Sequence, residues 1–406
     1  MTTRDKIEKS ANINMAFTPS APINNADLFA GRLKQIQRVM GAIFQRGQHA
    51  MIFGERGVGK TSLSNIIFDF LVLRGKHEFQ VARYNCGVAA DFHSIWKAVF
   101  KSLTVNRGPG AETLTLDELL PENPGSEDIR QVFQQADSPS IIIIDEIDRI
   151  EDSDTPAIIA DTIKTLSDHS INTTLILVGV ADSVEQLIAE HQSIDRALVQ
   201  IQMPRMSPEE LSEIVDKGLE KCGMEIDPEA KHRIAALSRG LPHNTHLLAR
   251  HAALTAMEDD RDNITRDDLS QAIKDAVENQ QQTTVAAYHK ATHSPRKNLY
   301  KEVLLACALA TKDELGYFPA GAIREPMEMI TKQHYDIPAF SQHLKDFCED
   351  KRGPILQKKG EGRRFRFRFI NPMMEPSVVL RGISDKLIEP NQIWTSSAPP
   401  PPFELS

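Results

Sequence analysis

The chain has 406 residues, 41% hydrophobic and 25% charged, which fits an ordinary soluble protein of two or three domains. Its 47 lysines and arginines against 56 aspartates and glutamates leave a net charge of −9, which excludes a polycation and confines any nucleic-acid contact to a local patch. Four scattered cysteines without a Cys-x-x-Cys pair argue against a disulfide frame or a zinc site, and no apolar run approaches the roughly 20 residues of a membrane span, so a cytoplasmic protein without a membrane partner is expected.

Residues 1–26 are polar and read as a flexible, irregular arm. Asp27 to Arg32 then lead into a helix through Leu33, Ile36, Val39, Met40 and Ile43. His49 to Phe53 is a short apolar run that predicts a strand, and Leu63, Ile66, Ile67, Phe70 and Leu71 recur at helical spacing after it. Between them stands Gly54-Glu55-Arg56-Gly57-Val58-Gly59-Lys60-Thr61-Ser62, which fits G-x-x-x-x-G-K-[ST] at every fixed position. Strand, glycine loop and helix in that order make a phosphate-binding loop. Its backbone N–H groups and the helix N-terminus face the triphosphate, Lys60 reaches the β- and γ-phosphates, and the Thr61 hydroxyl holds Mg²⁺.

Phe79 to Tyr84 predicts a second strand, and Phe92, Ile95, Trp96, Val99, Phe100 and Leu103 a helix. Asn106 to Gly125 reads as an irregular surface excursion, and Ile129, Val132 and Phe133 as a short helix. Ile141 to Ile144, four β-branched residues in a row, describe a strand buried on both faces of a parallel sheet. Asp145 and Glu146 at its end stand where open α/β sheets bind ligands: Asp145 to hold Mg²⁺ through water, Glu146 to polarise the attacking water. Thr174–Gly179 and Leu198–Met203 complete five strands alternating with helices. The fold class is α/β, a P-loop parallel-sheet three-layer core over residues 27–205.

From Ser207 the pattern is helical. Ser207-Pro208-Glu209-Glu210 is a capping box, Asp227-Pro228 opens a second helix that Gly240 stops, Pro242 opens a third and Thr265 caps a fourth. These make an all-α lid over 206–285. His243 and His246 form H-x-x-H with His251 nearby, but no further zinc ligands accompany them, so they read as surface histidines. Residues 295–382 show three helices and then two strands about Gly360-Glu361-Gly362, the winged-helix pattern. In the return strand Phe365, Phe367 and Phe369 alternate with Arg364, Arg366 and Arg368, which puts phenylalanines on the core and arginines outside. With Lys358, Lys359 and Arg363 these arginines form the most basic stretch of an acidic protein, a candidate contact to duplex DNA phosphates. Against that, the expected recognition helix carries Asp346, Glu349 and Asp350, which suits a protein partner. Residues 383–406, with the run Pro399–Pro402, read as a disordered tail.

Together these segments resemble an AAA+ ATPase, and within it the replication-initiator (origin-recognition-like) clade. The resemblance spans roughly 27–380, although only the two Walker segments are specific motifs. It implies ATP and Mg²⁺ as cofactors, a homo-oligomer or a protein effector, and catalytic roles for Lys60, Asp145 and Glu146. It places Asp182 where a polar residue senses the γ-phosphate and Arg196 where an arginine finger reaches a neighbouring subunit. In Arg239-Gly240-Leu241-Pro242-His243 it puts Pro242 near adenine and His243 where motors carry a second sensor arginine. A neutral histidine cannot fork to a phosphate, so slow hydrolysis or a switch cycle follows. The leading expectation is an ATPase that hydrolyses ATP with Mg²⁺ and couples its nucleotide state to DNA binding or remodelling through the winged helix. The alternatives are a nucleotide-controlled regulatory subunit of a bacterial defence or signalling complex, and a target-selecting transposition ATPase that shares the Walker core.

Overall fold

The computed structural model describes residues 2–19, 21–22, 26–75, 79–106, 113–180, 194–294, 298–360 and 364–395. The chain divides into two compact units, one of residues 22–55 and 59–204, the other of 1–21, 56–58 and 205–406. Among the described residues no helix is long and apolar enough to cross a membrane.

The first of these units is built on strands β1 (His49–Phe53), β2 (Gln80–Asn85), β3 (Thr104–Asn106), β4 (Thr113–Thr115), β5 (Ser140–Asp145), β6 (Thr173–Gly179) and β7 (Leu198–Gln202). Five of them form a parallel sheet in the order β2-β5-β6-β1-β7. The register sets Asn85 opposite Asp145, and Phe53 opposite both Gly179 and Gln202, so the carboxyl ends of the strands line up along one edge. Every residue of β5 and β6 is buried, the outcome that a four-isoleucine strand predicts when helices cover both faces. Trp96, Phe100 and Phe133 pack on one another, ring centroids 4.9–5.6 Å apart, and join Ile142, Ile144, Leu175 and Leu177 in the core.

The stretch expected to be irregular after Asn106 is more ordered than its composition suggests. β3 and β4 pair antiparallel, Val105 opposite Leu114, and Leu116–Leu119 follow as a short 3-10 turn. Val105 and Leu116 are buried, and those two apolar side chains anchor an otherwise polar excursion.

In the other unit the N-terminal stretch is no irregular arm: Thr3–Ala16 is a helix with a Thr2/Asp5 capping box. Its hold comes from distant residues. Ile13, Ala16 and Phe17 are fully buried in the helical core, and a Cβ on Gly218 would sit 2.3 Å from the Phe17 ring. Lys6 pairs with Asp260 at 3.0 Å, and Arg250 donates to Asn14 at 2.6 Å. Its larger apolar residues, Ile7, Ile13 and Met15, do not recur at helical spacing, so periodicity alone does not signal a helix.

Helices Pro208–Cys222, Pro228–Ser238, Pro242–Glu258 and Arg266–Glu278 follow in the places the caps predict. The Ser207 hydroxyl accepts the Glu210 N–H at 3.2 Å, and the Glu210 carboxylate accepts the Ser207 N–H at 2.9 Å. Further helices at Gln282–Thr292, Tyr300–Leu309, Arg324–Thr331 and Ile337–Asp346 lead to a three-stranded antiparallel sheet of Phe318–Pro319, Arg366–Phe369 and Leu356–Lys359. Phe367 and Phe369 are buried and Arg366 is exposed, as period two requires. Met374–Ser384 closes the module. Past residue 383, where a disordered tail was expected, Pro390–Thr395 is helical and Ile388 and Ile393 are buried. The proline run lies outside the described residues.

Candidate nucleotide site

The phosphate loop begins where β1 ends. Gly54 has to be glycine on steric grounds, because a Cβ there would sit 2.3 Å from the Met203 carbonyl oxygen. Gly59 adopts φ 93°, in the left-handed region, and turns the chain into the helix Lys60–Gly75. That helix opens with the Leu63 N–H bonded to the Gly59 carbonyl at 3.0 Å, so its N-terminal turn adjoins the loop. Lys60 Nζ donates to the carbonyls of Gly54 (3.0 Å) and Glu55 (2.8 Å), so the ammonium is folded over the loop. A helix N-terminus and an ammonium on the loop form a positive site that fits a polyphosphate. Glu55 and Val58 are buried, Arg56 is exposed, and Thr61 and Ser62 are half-buried.

Asp145 ends β5 and is buried, and its charge is met by a residue that sequence inspection passes over. Arg83 on the neighbouring strand β2 places Nη2 2.9 Å from Asp145 Oδ2, and it also donates to Asn65 in the phosphate-loop helix. Oδ1 of Asp145 accepts the Glu146 N–H at 2.8 Å. A carboxylate braced on both oxygens, together with the Thr61 hydroxyl, suits a hard cation held through water. Glu146 takes a left-handed backbone (φ 58°), and its carboxylate lies 2.8 Å from Arg149 Nη1. Nothing in spacing or composition marks Arg83 or Arg149; the register of β2 on β5 and the turn after β5 bring them there.

The remaining expected site residues separate into distinct cases. Asp182 lies outside the described residues. Arg196 is 82% exposed, and its guanidinium lies at the surface, 3.3 Å from Asp168. Pro242 takes the first helical position of Pro242–Glu258, and His243 Nδ1 lies 2.5 Å from the Pro19 carbonyl. That carbonyl can only accept, so Nδ1 carries the proton. Burial pulls the His243 pKa below the usual histidine range, with the Pro19 bond pulling the other way, so the ring is neutral and Nε2 is an acceptor.

His246 corrects the reading of these histidines as surface groups. It is 6% exposed, set edge-on to Phe17, and burial lowers its pKa to about 4. The N-terminal helix, which supplies Phe17, is what covers it. Among the described residues no group of three or more histidine, cysteine, aspartate or glutamate side chains could hold a metal ion.

The basic hairpin is partly spoken for within its own module. Arg366 pairs with Asp313 at 2.8 Å, and Arg368 donates to Gln357 and lies over the Tyr317 ring. Lys358 Nζ stands 3.3 Å from the Phe365 ring centroid. Lys359 and Arg364 are exposed, and Arg363 lies outside the described residues.

The model of a family described as nSTAND1, Novel STAND NTPase 1, matches residues 19–328, and the chain belongs to that family. Among solved structures it is similar to the ORC1 protein of Aeropyrum pernix, determined in complex with DNA, at 15% identity and a TM-score of 0.50 over 92% of this chain and 97% of that one. It is also similar to the Walker-type ATPase PABY2304 of Pyrococcus abyssi, at 15% identity and a TM-score of 0.52 over 90% of this chain and 100% of that one. No curated protein matches the chain. At such identities the likeness is one of fold alone.

Proposed function

We propose that this novel STAND NTPase binds ATP with Mg²⁺ and hydrolyses it slowly, as a nucleotide-controlled switch read out by its C-terminal module. The observation that carries the reading is the glycine loop and helix N-terminus that follow β1, with the Lys60 ammonium folded over that loop, and Asp145 and Glu146 at the aligned end of β5. Lys60 and the loop N–H groups would hold the phosphates, and Thr61 and Asp145 would hold the metal, whose contribution is to draw charge from the γ-phosphate. Glu146 would orient the attacking water once its carboxylate leaves Arg149. Arg196, exposed on its own subunit, would serve a neighbour's nucleotide in an oligomer. The slowness rests on a neutral His243 at the second-sensor position and on Glu146 being occupied by Arg149.

For the partner, we read residues 295–382 as a winged helix that contacts duplex DNA phosphates through its exposed cations, chiefly Arg364. A protein effector is the second reading. It is favoured by the engagement of Arg366 and Arg368 within the module and by the exposed acids Glu349 and Asp350, whereas Asp346 is buried and accepts hydrogen bonds from Tyr300 and Gln342 inside the module. ATP turnover with and without duplex DNA tests both. Stimulation by DNA that an Arg364→Ala variant loses supports the first, and turnover indifferent to DNA at low salt points to the second. No binding of ATP at all would refute the nucleotide reading.

A further inference from the structure

One buried charge cluster lies outside every motif above. Glu375, fully buried in the first turn of Met374–Ser384, pairs with Arg205 at 2.8 Å, Lys312 at 3.1 Å and Arg239 at 3.2 Å. Burial alone would push its carboxyl up, but the three cations bring it down to about 2. The four residues come from four segments. Arg205 precedes the first lid helix, Arg239 ends the second, Lys312 follows Tyr300–Leu309, and Glu375 belongs to the closing helix.

Each cation is tied twice. Lys312 also donates to the carbonyls of Cys307, Ala308 and Ala310, capping the end of its helix, and Arg239 Nη2 donates to the Leu309 carbonyl at 3.3 Å. Arg205 Nη1 donates to the Arg239 carbonyl at 3.1 Å. The lid segment this grips is tightly set: Arg239 is left-handed at φ 52°, the Met206 N–H bonds to the Gly240 carbonyl at 2.9 Å, and a Cβ on Gly240 would lie 2.6 Å from Arg205 Cβ. Gly240 leads directly to Pro242 and His243.

We propose that Glu375 is a positioning residue that locks the lid segment Arg239–His243 to the C-terminal module, so that the two respond to nucleotide as one piece. The coupling half of this rests on the reading above that the protein binds ATP; the lock itself does not. A buried carboxylate answering three cations from the lid and the module ties them more specifically than apolar packing does, because its loss strands all three cations.

Hydrogen exchange followed by mass spectrometry on the full chain separates the two halves. Without nucleotide, Glu375→Gln should speed exchange of the amides in 239–243 and 374–384 by tenfold or more, while 340–347 keeps wild-type protection. Because Glu375→Gln alone can unfold the chain, the pair Glu375→Gln/Lys312→Met, which removes one negative and one positive charge, is measured beside it, with a cooperative melt as the check on folding. With ATP, wild type should gain protection in both segments, and the folded variant in 239–243 only. Wild-type exchange at 239–243 in a folded variant would overturn the lock. ATP protection of 374–384 undiminished in that variant would overturn the coupling. Failure of wild type to bind a fluorescent ATP analogue would instead refute the nucleotide reading, with the nucleotide-free comparison still deciding the lock.

Discussion

Arg83 Nη2 stands 2.9 Å from Asp145 Oδ2, a buried ion pair between adjacent parallel strands at the edge where the phosphate loop begins. Removing the arginine leaves a carboxylate that is almost wholly out of water without its partner. Arg83→Met should therefore cost about 3–5 kcal/mol of stability, the range for breaking a buried pair. Asp145→Asn keeps a hydrogen-bonding group beside Arg83 and should stay folded at a smaller cost while losing metal-dependent turnover. Urea denaturation of both variants checks the order, and equal losses would count against the ion pair.

The pairing of Glu146 with Arg149 makes two substitutions diverge. Glu146→Gln should lower turnover by about 10²-fold or more, the lower range for a lost general base. Arg149→Ala removes the group that holds Glu146 aside and should raise turnover a few-fold. A drop in turnover in Arg149→Ala would mean that the arginine serves the reaction rather than restraining it. Steady-state phosphate release measures both.

Two histidines should make the protein acid-sensitive well above the carboxylate range. His49, fully buried at the start of β1, accepts the Leu175 N–H on Nδ1 at 3.0 Å, and burial lowers its pKa to about 4. His246 is lowered to about 4 as well. Both pKa values are depressed in the folded state, so the unfolded chain binds more protons as pH falls through the ordinary histidine value near 6.5. Stability should be full above pH 6.5 and decline towards pH 4, by up to about 3 kcal/mol per histidine. Glu375, held at about 2, adds its own loss between the ordinary glutamate range and pH 2. Melts across pH 7 to 4, with the imidazole resonances of His49 and His246 followed by NMR, test the assignment: neither ring should titrate near 6.5.

If DNA is the partner, the hairpin cations should not contribute equally. Arg364→Ala should reduce the slope of log affinity against log salt by about 0.9, the value of one phosphate contact. Arg366 and Arg368 must first give up Asp313 and the Tyr317 ring, so their alanine variants should change that slope less. Fluorescence anisotropy of a labelled duplex across a salt series measures this. Equal slopes for all three variants would show that the internal pairings do not restrain them.

Much of the nucleotide core was legible because its signals are local. A glycine loop between an apolar strand and a helix, and four isoleucines before two acids, each state their structure within ten residues. The sheet placed all five strands within a residue or two of where the hydrophobic runs put them. Caps such as Ser207–Glu210 are equally local, and they held.

What local pattern could not state is which distant residue completes a buried group. The Thr3–Ala16 helix looked irregular because the surface that holds it, Gly218 and His246, lies some 200 residues further on. Asp145 announced a site, yet its counter-charge on Arg83 depends on β2 lying beside β5. The alternation of phenylalanine and arginine in 364–369 set the faces of the strand, while Asp313 and Tyr317 decided how many of those arginines face solvent unengaged. Glu375 reads in sequence as one more surface glutamate; only the convergence of four chain segments removes water from it and leaves three cations in its place. Short-range periodicity and steric rules act between neighbours in the chain. Desolvation and ion pairing act between neighbours in space, which only the fold supplies.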